Sequence, residues 1–527
     1  MARFKKMNQE QGVMVAIHFD TQILPGSFEF LVCNLVDKVL DLSEFDAVYK
    51  NGTSKGGASA YDPRVLLKII FCAYARGVLS SRRISQLCYE NVVFMVMACE
   101  LKPHFTTIAN FISSQPELLS GLFSEVLLVC SESGLIDAKM FAVDGCKLSS
   151  NASKEHSGNV EDFQRKKERF QRNIDSLMAK HKEEDALESE LGSINEEHRK
   201  REVNAIKHMT EKVDKLSDFL TLNPNNRIGF SKSGDPVHSN ITDNESAHMT
   251  TSHGVLQGYN GVAVVDSKHQ VVVAAEAFGH IAEGHTLLPM VDQTFENLKA
   301  AGVSEEVLRE SLTLGDSGFN EKEALKGLEG RGVKALIADG LFRKRDVNMP
   351  SQAHHRLRAR RKSSKKFSPS DFKESSDGRD VLICPNEKEL RFKTDKYDNK
   401  KGVAGRQYVA KYEDCQSCPL RSQCTQGSGL SADGSKRGRQ VLKKVDDKSS
   451  AYHQMIKLID TPENKLLYSY RMQIVEPVFA HIRIQKGLDH FTLRGKSKVN
   501  GQWKLFCMVH NMWKLLQFGG LESKWAA

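Results

Sequence analysis

The chain runs to 527 residues, more than one compact core holds, so two to four structural units are expected. Its 40% hydrophobic and 27% charged residues exclude a globally disordered chain, and no apolar run nears the ~20 residues that cross a bilayer. A net charge of +9 favours a polyanionic partner without requiring one.

The opening stretch, MARFKKMNQEQGVMVAIHFD, has one short apolar run, Val13 to Ala16, and does not read as a secretory signal. The eleven cysteines are therefore expected in a reducing compartment, where clustered thiols read as metal ligands before disulfides. Residues 1–135 read as an N-terminal helical domain. Pro63–Tyr74, Ile84–Cys99 and Thr106–Cys130 repeat apolar residues at three- and four-residue spacing. Within them, SRRISQLCYENVVFMVMACELKPHFTTIANFI divides into two short helices about a turn, with Thr106 or Thr107 capping the second. A DNA-reading helix-turn-helix has this pattern, and so has any helical bundle.

Residues 136–340 change to an α/β rhythm. Met140–Val143 is a short strand ending at Asp144. A highly charged insertion over 152–240 follows. In it Ile206, Met209, Val213, Leu216 and Leu220 step as a heptad seam does, which predicts a helical hairpin with solvated outer faces. The segment 254–280, GVLQGYNGVAVVDSKHQVVVAAEAFGH, predicts a β-hairpin turning at Asp266-Ser267-Lys268-His269. His280 and His285 lead into a helix near 285–301. Strand 311–319, helix Glu321–Leu328 and strand 333–338 come next, giving an α/β sheet with helical crossovers.

Residues 341–464 form a second insertion. Ten Lys/Arg and one acid, Asp346, stand between Arg343 and Lys366; this run is either a solvated loop or a DNA contact. Cys384, Cys415, Cys418 and Cys424 follow. One Cys-x2-Cys knuckle with two single cysteines suits a closed, zinc-ribbon-like site of four thiolates, in which tetrahedral Zn²⁺ would fold a polar insert that has little core of its own. An unused or redox thiol cluster is the alternative. Cys33, Cys72, Cys88, Cys99, Cys130, Cys146 and Cys507 read as buried hydrophobes. Residues 465–527 are helical, and Trp503, Leu505, Phe506, Val509, Met512, Trp513 and Leu516 form the packing face of the last helix.

Three acids carry the chemical argument. Asp144 and Asp316 each stand at the carboxyl end of a strand, near glycine, where open α/β sheets place their ligands. Either alone reads equally well as a strand-end turn. Glu476 borders the apolar face of a helix, and Arg483, seven residues on, lies within roughly 20° of it around the axis. Carboxylates from separate elements suit phosphodiester chemistry with two Mg²⁺ ions about 3.5–4 Å apart. Arg471 and Arg483 would then hold the phosphate backbone. A plain Glu476–Arg483 surface ion pair is the other reading.

Tyr468-x2-Arg471, then Val475-Glu476-Pro477-Val478-Phe479 and Arg483, resembles the last catalytic segment of DDE transposases of bacterial insertion sequences, in the IS1182-like branch of the IS4/IS5 grouping. Two departures stand out. The Arg-to-Glu gap is four residues where three is usual, and Arg483 replaces a common lysine. Arg494-Gly495-Lys496 and His510-Asn511 resemble the family's tail, FAVDGCKLSSNAS and LTLGDSGFN its two Asp segments, and YDPRVLLKII…PHFTTIANF its preceding helical domain. The resemblance implies an RNase H-like core with Asp144, Asp316 and Glu476 as catalytic ligands of Mg²⁺ or Mn²⁺. It also implies Tyr468, Arg471, Arg483, Arg494 and Lys496 on DNA, and at least a homodimer bringing double-stranded element ends and target together. The same four-cysteine pattern recurs in the branch. Asp243 resembles a recurrent position and reads as structural. A cytoplasmic, nucleoid-associated protein follows. The alternatives are an inactive, transposase-derived DNA-binding protein and a nuclease of the same fold without strand transfer.

Overall fold

The computed structural model describes residues 18–49, 59–191, 196–228, 236–251, 254–280, 283–345, 367–375, 379–398, 403–424, 438–444 and 451–520. The chain divides into two compact units, Met1–Phe230 with Pro236–Ile337 and Lys465–Ala527, and Ser231–Asp235 with Ala338–Asn464. Among the described residues no helix is long and apolar enough to cross a membrane. The expected basic run lies outside them beyond Arg345.

The first unit begins with helices α1 (Phe28–Asn34), α2 (Pro63–Ala75), α3 (Ser81–Glu90), α4 (Val92–Met97), α5 (Phe105–Ser114) and α6 (Pro116–Glu132). Sequence sets several of their ends. Asp62 accepts from Arg64 N–H while Pro63 occupies the first turn of α2, where its missing N–H costs nothing. The apolar stretch expected as one segment over Ile84–Cys99 breaks at Asn91, an extended residue whose side chain caps α4 at Val93 and Phe94. Neither Thr106 nor Thr107 caps α5. The extended backbone of His104 does so, its ring accepting from Thr106 N–H, because both threonines already lie inside the helix. Cys99 is exposed rather than buried, since it leaves α4 through a left-handed turn with Glu100.

A mixed sheet follows, built from β1 (Met140–Ser149), β2 (Ala247–Thr251), β3 (Gly254–Asp266), β4 (Val272–Phe278), β5 (Leu312–Gly315) and β6 (Lys334–Ile337). Its central order is β6-β5-β1-β3, with β4 and β2 both pairing the far edge of β3. β1, β3 and β4 run antiparallel, whereas β1, β5 and β6 are parallel. The interior strands are continuously apolar, as a sheet covered on both faces requires: Val262 to Val265 and Val271 to Ala275 are all but inaccessible. The β3–β4 turn is longer than expected. Asp266 ends β3 with its carboxylate buried, accepting from Lys268 N–H and from Ala138 N–H, and Gln270 takes a left-handed conformation before β4 resumes.

The charged insertion after β1 holds two helices, α7 (Val160–Leu191) and α8 (Glu196–Leu222). Their shared seam is apolar at its base, where Phe163, Leu216 and Phe219 cluster, with Val213 also buried. Ile206 and Met209 are only half-buried, and Phe219, outside the heptad steps, belongs to the seam. After β4 come α9 (Leu287–Ala300) and, between β5 and β6, α10 (Lys322–Gly330).

Two late helices complete the unit, α11 (Pro462–Ala480) and α12 (Lys496–Phe518). α12 is buried on nearly every side because it lies between the sheet and the N-terminal helices. Trp503 sits over Gly261 and donates its indole N–H to Val262 O at 3.0 Å. Phe506 stacks on Tyr74 with ring centroids 4.4 Å apart, and Trp513 on Phe28 at 4.9 Å. Asn511 bonds both the N–H and the C=O of Val272, so a side-chain amide satisfies the backbone there.

The second unit carries an antiparallel sheet, β7 (Lys373–Glu374), β8 (Val381–Ile383), β9 (Glu389–Asp398), β10 (Val403–Ala410) and β11 (Gln440–Lys444), in that order. Its core is small: Phe372, Leu382, Leu390, Tyr408, Ala410 and Val441. Arg345 clasps both ends of this unit. It grips Asp339 through two nitrogens at 2.6 and 2.9 Å and Asp460 through Nε at 2.7 Å.

Candidate active site

The acid site starts from sheet register. β1 and β5 are adjacent and parallel, with Val143 opposite Gly315, so the next residue on each strand is an aspartate, Asp144 and Asp316. The apolar residues behind them, Phe141, Ala142, Val143 and Leu314, are buried, which fixes both strand ends against the core. Asp144 Oδ1 accepts from Gly145 N–H at 2.8 Å, and Asp316 Oδ1 accepts from Gly318 N–H at 2.8 Å. Burial pushes the Asp144 carboxyl above its ordinary range. The Arg471 guanidinium and the Gly145 N–H oppose that rise, and the charge of Asp316 adds to it.

α11 reaches this place through Arg471. Its Nη1 donates to Asp144 Oδ2 at 3.0 Å, the arginine is 7% exposed, and its Nε has no acceptor among the described residues. Tyr468 lies close enough for its charge to act on Arg471. Glu476 is carried by the same helix, five residues beyond Arg471, and is exposed. Pro477 sits inside α11, which gives way after Ala480 to a wider turn over His481–Gln485, so the straight-helix angle between Glu476 and Arg483 does not carry through. Among the described residues, no three His, Cys, Asp or Glu side chains converge in a geometry that already holds a metal ion.

Two family models match the chain: a transposase DDE domain over residues 383–516 and a transposase domain (DUF772) over residues 21–114. Together they indicate a DDE transposase of insertion-sequence type. The IS1182 branch is consistent with that pair, and the transposase domains support a DNA transposase function. No curated protein matches the chain. The DDE match includes Glu476, Arg471 and all four clustered cysteines, whereas Asp144 and Asp316 lie before it.

The transposase's remaining basic candidates differ in setting. Arg483 is exposed, and its charge reaches the Cys146 thiol on β1. Arg494 is exposed and donates through Nε to Asn151 O at 2.7 Å. Lys496 is half-buried, with Nζ 3.1 Å from Glu276. Asp243 is a structural node, as its sequence context suggests: buried, it accepts from Tyr259 O–H at 2.8 Å and from Gly495 N–H at 3.3 Å.

In the second unit Cys384, Cys415, Cys418 and Cys424 are all half-buried, and three of them line the small core. Lys388 N–H donates to Cys384 Sγ and Arg439 N–H to Cys415 Sγ, each at 3.3 Å. Burial raises the Cys415 and Cys424 thiols. At Cys424 the Arg439 charge opposes that rise, and at both positions the neighbouring cysteines reinforce it.

Sequence reasoning missed one acid. Glu283 opens the short turn Glu283–Thr286 ahead of α9. Burial raises its carboxyl, Lys147 pulls it down, and the charges of Asp316 and Asp144 push it up again, so it shares a field with both aspartates. No motif marks it, since a lone glutamate before a helix reads as an ordinary first-turn acid.

Proposed function

We propose that this chain binds the ends of an insertion sequence and catalyses divalent-metal-dependent phosphodiester cleavage and strand transfer, with Asp144, Asp316 and Glu476 as the catalytic acids. The observation that carries this reading is the placement of Asp144 and Asp316 at matching ends of neighbouring parallel strands, with α11 tied to the first of them through Arg471. The sheet order, three antiparallel strands continued by two parallel ones, supports an RNase H-like core.

The donor set fits Mg²⁺ or Mn²⁺. Two carboxylates stand at a strand-end crevice where burial disfavours the Asp144 charge, and hard oxygen donors of this kind suit these ions. When bound, the metal supplies activation of the attacking oxygen and stabilisation of the leaving one. The chain's own residues prepare that chemistry. Asp144 and Asp316 are held rigidly by strand backbone, so their separation is set before DNA arrives. Arg471 neutralises Asp144 in the meantime and, on a charged phosphate, has a second partner to move to. Exposed Arg483 and Arg494 hold the phosphate backbone, with Tyr468 and Lys496 beside them. Cys384, Cys415, Cys418 and Cys424 would hold Zn²⁺ in a structural role, and their two N–H···S bonds are of the kind that stabilises thiolates. Pairing of two ends implies at least a homodimer, in the cytoplasm at the nucleoid.

The test uses labelled element-end DNA and Mg²⁺. Asp316→Asn is expected to retain end binding and lose cleavage. Undiminished cleavage by that variant removes the assignment. A wild-type protein that cleaves but never joins ends to target DNA is the nuclease of the alternative reading.

A further inference from the structure

A ring of contacts around the strand ends includes a fourth acid. Gly145, next to Asp144, faces the Asn260 amide: a Cβ at Gly145 would stand 2.7 Å from Asn260 Oδ1 and 3.0 Å from its Nδ2. Asn260 Nδ2 in turn donates to Glu283 Oε1 at 3.5 Å. On the other side, a Cβ at Gly318 would collide with Glu283 Oε2 and stand 3.0 Å from Asp316 Oδ1, so both oxygens border the same small space. Glycine at 145 and 318 is what lets these groups approach.

Within this ring Asn260 is 1% exposed, yet its Oδ1 has no hydrogen-bond partner among the described residues. A buried amide oxygen normally finds a donor, and leaving it unmatched costs about 1–3 kcal/mol. Lys147, opposite Asn260 in the β1–β3 register, places Nζ 3.8 Å from Glu283 Oε1 as the nearby counter-charge. An amide oxygen without a donor, beside carboxylates from three separate elements, is the donor set of a hard cation.

We propose that Glu283 is a further ligand group for the divalent cation of Asp144 and Asp316, with Asn260 Oδ1 as its neutral neighbour. It supplies a carboxylate from the sheet side of the site, independent of α11 and Glu476. This rests on the metal-dependent reading above. The geometry gives that cation two rigid strand-end acids and one turn acid before Glu476 is engaged.

Direct Mn²⁺ titration of the full chain, by calorimetry or by loss of the free-ion paramagnetic signal, tests it without DNA. Glu283→Gln is expected to weaken Mn²⁺ binding by about tenfold or more and Glu283→Asp to restore part of it, while Glu476→Gln changes it less. Loss of Mn²⁺ binding in Asp144→Asn with full binding in Glu283→Gln overturns the role of Glu283 alone. Unchanged binding in Asp144→Asn overturns the metal reading itself. Should Glu283→Gln fail to fold, the wild-type protein suffices: bound Fe²⁺ with ascorbate and peroxide is expected to cut the chain near 283 as well as near 144 and 316. Cuts near 144 and 316 without one near 283 overturn the inference.

Discussion

The two polar sites of this chain are built on different amounts of core. The acids stand at the ends of strands whose apolar residues, Phe141 to Val143 and Leu314, are buried in a sheet covered on both faces. The cysteines stand on a sheet whose buried cluster numbers six residues, and three of the four thiols are themselves part of its wall. The first site keeps its shape without a ligand, because burial elsewhere holds the strands. In the second, whatever joins the thiols contributes directly to folding. Removing a ligand should therefore change chemistry in one place and structure in the other.

That contrast can be broken most directly at the acids. Asp144→Asn should lower end cleavage by about a thousandfold or more, equivalent to about 4 kcal/mol of barrier, with the melting temperature little changed. A variant that unfolds instead would show that the strand ends depend on their charges. At the cysteines the reverse is expected. Cys415→Ser with Cys418→Ser, or treatment with a strong zinc chelator, should open the second unit to protease while fragments of the first persist. Equal resistance of both units would remove the structural role of the thiols.

Arg345 sharpens the same point. Its removal strands the buried carboxylate of Asp339, which the Arg345 pair holds below its usual range against the upward push of burial. Arg345→Ala should cost about 2–4 kcal/mol, read as earlier urea unfolding confined to the second unit. Arg471→Gln should cost less, about 1–3 kcal/mol, because Asp144 retains the Gly145 N–H and some contact with solvent.

A pH effect belongs to the first unit alone. His481 and His510 touch through their Nδ1 atoms at 2.7 Å, and burial holds them down to about 4 and about 3. The unfolded chain takes up these protons near pH 6.5 and the folded chain does not. Their contribution is therefore complete above about pH 6.5 and is lost as the pH falls towards 4. Asp266, raised by burial from 3.8 to about 6, acts in the opposite sense: the folded state binds its proton first, so its contribution is lost as pH rises through that interval. With two imidazoles against one carboxyl, the melting temperature should fall on acidification, and His510→Gln should flatten the slope. The smallest effect is expected on the charged hairpin, where Lys180 and His181 both face Glu202. Glu202→Gln should shift stability by no more than about 1 kcal/mol.

Elements that depend on local pattern were legible in the sequence. The hairpin helices follow from a seam of apolar residues, and β1, β3 and β5 from short apolar runs that end in acids or turns. Boundaries that depend on one side chain were not. Asn91 breaks a continuous apolar stretch because its amide caps a helix, and His104 takes a cap from two threonines through its backbone conformation. At the site, Asp144 and Asp316 were visible because each closes a strand beside a glycine. Glu283 was hidden because its neighbours Asn260 and Gly318 come from other elements.

Sequence alone determined the order of elements, the two insertions and the chemical types available: strand-end acids, a helical glutamate among arginines, and four grouped cysteines. These follow from periodicity and spacing, which act over a few residues. Only the tertiary structure decided that β1 and β5 lie side by side, that Arg471 directs its charge to Asp144, and that a turn glutamate joins the acids. Those outcomes depend on register and on close approach across glycines, and both are set by how the whole core closes.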